Sequence, residues 1–249
     1  MFETNPFAAL SASIPPGVMQ AYVVAMIVLV LAGTLFDVLH KGSARYFFQN
    51  WRRTKGSAPR PGGGELVSIA VRTAAVDVLA SGEFCNARRR AAHLLTMYGF
   101  LLHYISSAVM VFDASAADVW ARAWWLGGAM VLAGGYWFWF FIRVDVVAEG
   151  ASPLRIVRAD LFILSLLASV TLGLLWAWLQ SWALFGLYIL ATTVLFGSVP
   201  WSKFAHMFFK PAAAFEKRVS YANGTRSNLP APADKPEQFG SARTAPRHY

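Results

Sequence analysis

Residues 91–112, AAHLLTMYGFLLHYISSAVMVF, carry no charged side chain and follow three consecutive arginines, Arg88, Arg89 and Arg90. About 20 apolar residues suffice for a helix to cross the roughly 30 Å hydrocarbon layer of a bilayer with every backbone N–H and C=O bonded internally. Four more runs share this character, at about 19–39, 123–142, 161–179 and 182–199. The expected architecture is an all-α membrane protein, a five-helix transmembrane bundle. A composition of 57% hydrophobic and only 14% charged residues, with ten tryptophans, agrees with that class.

Charge fixes the expected orientation. Of 22 Lys and Arg, the segment 40–90 holds 10, 143–160 holds 3 and the stretch from 200 onward holds 8, which leaves Arg122 alone on the other side. By the positive-inside rule the N-terminus lies outside, the C-terminus is cytoplasmic, and both larger connections face the cytoplasm. The net charge of +9 then follows from topology. Nucleic acid is not an expected partner, because the chain offers no exposed soluble domain to bind it.

The single cysteine, Cys85, excludes disulfide scaffolds, Cys-rich zinc sites, iron–sulfur ligation and Cys-x-x-Cys-His haem attachment within this chain. Any iron–sulfur cluster belongs to a partner. The first apolar run follows Pro15 and Pro16 with no basic residue before it, and it reads as a retained helix after an outer arm, 1–18.

The inner segment 40–90 starts as a basic and aromatic juxtamembrane strip and passes through Pro and Gly. It then places Leu66, Ile69, Ala70, Val76 and Leu79 at spacings that suit one face of a helix lying along the inner membrane surface. That surface suits either a soluble partner or lipid headgroups. The Gly pairs in GGAMVLAGGYWFWFFIR permit close helix approach. Tyr136, Trp137 and Trp139 mark the inner interface, and Trp120, Trp124, Trp125, Trp176, Trp178 and Trp182 an outer belt. Pro200 should interrupt the fifth helix, with helical structure resuming in a cytoplasmic extension to about residue 210; the tail 211–249 reads as largely flexible.

Histidine carries the chemistry. His93 and His103 lie ten residues apart in the second span, or about 15 Å in depth. A neutral imidazole in hydrocarbon still has a donor and an acceptor, so it meets a polar partner or ligates something. His206 follows the fifth span at the depth of His93. His40, at the end of the first span, is accounted for by the helix C-terminus and water.

Five spans, an outer N-terminus, the histidine pair in span two and the motif PWSKFAH after span five resemble the gamma subunit of respiratory nitrate reductase. The same cytochrome b architecture recurs in membrane subunits of quinone-interacting oxidoreductases of sulfur metabolism. The stretch VDVLASGEFCNARRRAAHLLTMYGF looks closer to that branch, including the membrane anchor associated with adenylylsulfate reductase. The resemblance implies that His93 and His206 ligate one haem b, with Arg90 and Lys203 near its propionates. It also implies a second haem at His103, but the expected partner region, LFGLYILATT, offers Tyr188 and no histidine. One haem is therefore expected, and His103 with Tyr188 marks a quinone or second-haem site. The implied function is electron transfer between the quinone pool and a cytoplasmic iron–sulfur or flavoprotein subunit. A haem-free anchor and a small transporter subunit are the alternatives.

Overall fold

The computed structural model describes residues 2–40, 49, 52, 61–82, 84, 86–143, 156, 157, 160–201 and 206–224, with no side-chain description at 206–209. Among these residues every element is helical. The arm contains a short 3-10 turn, Ala8–Ala12, and the helices are α1 (Pro16–His40), α2 (Gly63–Arg72), α3 (Ala87–Phe112), α4 (Asp118–Trp137), α5 (Leu161–Leu179), α6 (Trp182–Gly197) and α7 (His206–Ala222). A π-helical turn, Thr73–Leu79, continues α2, and another, Phe138–Ile142, continues α4. Helices α1, α3 and α5, together with α4 and its π-helical extension, are long and apolar enough to cross a membrane, whereas α6 is shorter, at 16 residues.

Two compact units divide the chain. One comprises residues 1–41 and 91–207 and holds the apolar bundle; the other comprises 42–90 and 208–249.

Glycine sets the spacing of the bundle. The two pairs of α4 each send one glycine to α3 and one to α5. A Cβ on Gly127 would stand 2.6 Å from the backbone N of His103 and 2.8 Å from the carbonyl of Gly99, and one on Gly134 would meet the Ala92 carbonyl at 2.7 Å. Gly128 and Gly135 instead face the side chains of Leu174 and Leu167 on α5. Backbones thus touch directly between α3 and α4, the close approach that small residues permit in lipid. Gln180, at φ 50, ends α5 in the left-handed region, and α6 follows within two residues as its antiparallel neighbour.

A buried ion pair, Arg143 with Asp160, ties the end of α4 to the start of α5. The Arg143 Nε donates to Asp160 Oδ1 at 3.0 Å, the guanidinium lies 4.1 Å over the Trp139 ring, and the backbone N–H of Val157 donates to the same carboxylate.

The tryptophans depart from the expected outer belt. Trp178 and Trp182 are exposed, but Trp124 is 0% and Trp176 is 2% exposed, at the centre of a cluster with Phe7, Leu10, Met110 and Phe185. Helical structure resumes after Pro200 as expected, but α7 runs through Pro211 to Ala222, beyond the expected end of the extension. The Arg218 guanidinium grips Asp77 with two hydrogen bonds, 2.7 and 2.9 Å, and so anchors that added length within the second unit. The π turn after Arg72 breaks the single helical period expected through Leu79, because i→i+5 bonding widens the turn.

Candidate functional site

The organising side chain of one half of the bundle, the half that the N-terminal arm covers, is His103. Its imidazole is fully buried, stacks on the Trp124 indole at 4.6 Å and meets Tyr104 edge-on. Nδ1 lies 3.0 Å from the Trp124 carbonyl oxygen. A carbonyl only accepts, so Nδ1 carries the proton and Nε2 presents a bare lone pair. That nitrogen is buried without a hydrogen-bond partner, and so is the Ser106 hydroxyl one turn along. Ser107 completes the corner: its hydroxyl donates to the His103 carbonyl and accepts from Trp124 Nε1, both at 2.8 Å.

Tyr188 belongs to the same region. It is buried, stacks on Trp176 at 5.9 Å, and lies against Gly173, where a Cβ would come within 3.0 Å of its ring. A hydroxyl chain runs beside it from Tyr104 to Ser169 (2.9 Å) and on to Thr192 (2.7 Å), which donates to the Tyr188 carbonyl (2.8 Å). Because the chain ends on a carbonyl, its donors point one way, from Tyr104 toward Tyr188.

The arm closes this corner from outside. Phe7 packs on both Trp124 (6.0 Å) and Trp176 (5.3 Å), the two indoles whose rings stack on His103 and Tyr188. Asn5 Nδ2 donates to the Met110 carbonyl at 2.9 Å, and Glu3 pairs with Arg122 at 2.6 Å on the exposed rim. None of Asn5, Phe7, Ser107 or Trp124 is marked as functional by the sequence, since their partners are backbone carbonyls and apolar rings.

The other half of the bundle is organised by one stripe of α3. Phe100 and Tyr104 face Phe196 of α6, at 6.4 and 5.2 Å between ring centres. His93, seven residues before Phe100, lies on the same stripe and is exposed. The chain leaves α6 through a 3-10 turn, Val199–Trp201, and enters α7 at His206. Gly33 of α1 fixes that turn: a Cβ there would stand 3.0 Å from Val199 and 3.1 Å from Pro200. Arg90, expected near propionates, donates through Nε to the Ala80 carbonyl at 2.7 Å. Lys203 lies outside the described residues, as does the His206 side chain. His40 is exposed and stacks on Phe36.

Haem can be weighed against these two regions. The one at His93 offers an exposed imidazole on the α3 stripe that meets α6 at Phe100 and Tyr104, and the chain that leaves α6 enters α7 at His206. The one at His103 does not fit a porphyrin: Trp124 covers the His103 ring, and α4 meets the α3 backbone at Gly127, so such a group would have to displace Trp124 or part the two helices. Among the described residues no three His, Cys, Asp or Glu side chains gather as a metal site. A haem iron held by two imidazoles needs no such group.

Among the described residues the fold is all-helical, with four helices long and apolar enough to span a membrane. No family model, no curated protein and no solved structure matches the chain.

Proposed function

We propose that this chain is a membrane-anchor cytochrome b subunit of the bacterial inner membrane. It holds one haem b between His93 and His206 and links the quinone pool to a cytoplasmic iron–sulfur or flavin oxidoreductase, of the kind that adenylylsulfate reductase represents in sulfur metabolism. In this reading α6 is the fifth span. Its 16 residues rise about 24 Å, and the turn at Val199–Trp201 carries the chain on toward the inner interface.

The observation that carries the reading is the register of α3: the stripe that packs Phe100 and Tyr104 on α6 continues to His93. The haem supplies one-electron redox chemistry that no ordinary side chain offers. The chain's part is to hold two neutral imidazoles at the inner interface and to keep the outer half dry. There, His103 and Tyr188 mark the quinone site, where the Nε2 lone pair can accept a hydrogen bond from a quinol hydroxyl.

A dithionite-reduced minus oxidised visible spectrum of the purified chain tests this, with a pyridine haemochrome assay for stoichiometry. A b-type band at one haem per chain is expected. A chain that inserts and folds with no such band is a haem-free anchor, and the proposal fails.

A further inference from the structure

We propose that the exposed aliphatic stripe of α2 and its π-helical continuation lies on the anionic phospholipid surface of the inner leaflet, in contact with lipid and not with a soluble protein. This stands on topology alone and does not depend on haem.

Helix α2 has no buried residue. Val67 is 64% exposed, Val71 62% and Leu79 56%, which is a large apolar exposure for so short a segment. Val67 and Val71 are one turn apart and share a face, while Glu65 and Arg72 fall on the far side of the helix. The stripe is therefore amphipathic, the form that settles at a membrane interface with its apolar side down.

Three observations favour lipid as the occupant. The stripe holds small aliphatic side chains and lacks the Trp, Tyr, Met and Arg anchors that dominate protein interfaces. The unit that contains it, 42–90 with 208–249, carries 16 of the chain's 22 Lys and Arg but only 6 of its 13 acidic residues, a charge complementary to anionic headgroups. Finally, the segment is joined at both ends to helices of the bundle: α1 ends at His40, and α3 is one continuous helix from Ala87 into the bundle. With the aliphatic side on lipid, Glu65 and Arg72 are left facing the cytoplasm.

The test places single cysteines at Val67, Val71, Glu65 and Arg72 in a full-length Cys85→Ser background. Each is labelled with an environment-sensitive fluorophore and reconstituted in nanodiscs of phosphatidylcholine and phosphatidylglycerol, with or without acyl-chain spin-labelled lipid. Expected are blue-shifted emission and quenching by the spin label at Val67 and Val71, and neither at Glu65 or Arg72. The quenching should weaken in pure phosphatidylcholine. Equal quenching at all four positions would overturn the proposal, as would Val67 and Val71 reporters quenched only by aqueous iodide, which would place the stripe in water. So would quenching that is indifferent to phosphatidylglycerol. Circular dichroism of each labelled variant confirms that helix content is retained, and the label positions are exposed, so folding does not confound the readout.

Discussion

The imidazole of His103 and the carbonyl oxygen of Trp124 lie 3.0 Å apart at full burial, and this single contact decides which nitrogen of the ring is protonated. The prediction is spectroscopic. Nitrogen-15 NMR of selectively labelled protein should show His103 as a neutral Nδ1–H tautomer. His103→Phe keeps a flat aromatic ring but removes the donor to a buried carbonyl and should cost at least about 1–2 kcal/mol in unfolding. It should leave the b-type absorbance per chain unchanged, since the proposed haem site uses His93 and His206. Loss of that absorbance would return His103 to the ligand set.

His93→Ala and His206→Ala should each abolish the b-type band while membrane insertion survives, because ligation is lost and the apolar runs are intact. Wild-type haem content in either purified variant would remove that residue from the site.

The two faces of α4 should respond differently to one methyl group. Gly127→Ala forces a Cβ into the α3 backbone, whereas Gly128→Ala meets the flexible ends of Leu174. Overpacking of this kind costs about 1–3 kcal/mol, and Gly127→Ala should lie at or above the upper end, Gly128→Ala at the lower. Thermal unfolding in detergent ranks them, and the reverse order would contradict the described packing.

Arg143 and Asp160 should behave as a buried pair. Asp160→Ala leaves a buried guanidinium without its carboxylate, a loss of about 3–5 kcal/mol, whereas replacing both residues by apolar ones of similar size should restore much of it. Glu3→Gln breaks the exposed pair with Arg122 and should cost less than about 1 kcal/mol. A double-mutant cycle at each pair measures the contrast.

How far the sequence reveals this arrangement depends on what each signal reports. Apolar length reports the spans, and α1, α3, α4 and α5 lie where the runs predict them. Hydropathy does not separate a lipid-facing indole from a core-facing one when both neighbours are apolar, so Trp124 and Trp176 read as belt residues. His103 was legible as a buried group, but its partner is a backbone carbonyl, which no sequence pattern marks. The helical period of α2 holds as far as Arg72 and fails where bonding changes to the π form. Pro211 signals an end to helix, yet α7 passes through it, since one missing N–H is a local loss and the Arg218–Asp77 contact anchors the following turns.

The arm that closes the outer corner imposes an order on assembly. Asn5 finds its acceptor in Met110, 105 residues later, and Phe7 needs Trp176 of α5 as well as Trp124 of α4. In the proposed orientation, with the N-terminus outside, a segment synthesised ahead of α1 therefore waits, already across the membrane, until α3, α4 and α5 have been inserted and packed. Its docking reports that the bundle has closed, so a protease confined to the outer side should cut the arm in nascent or mispacked chains and spare it in finished ones.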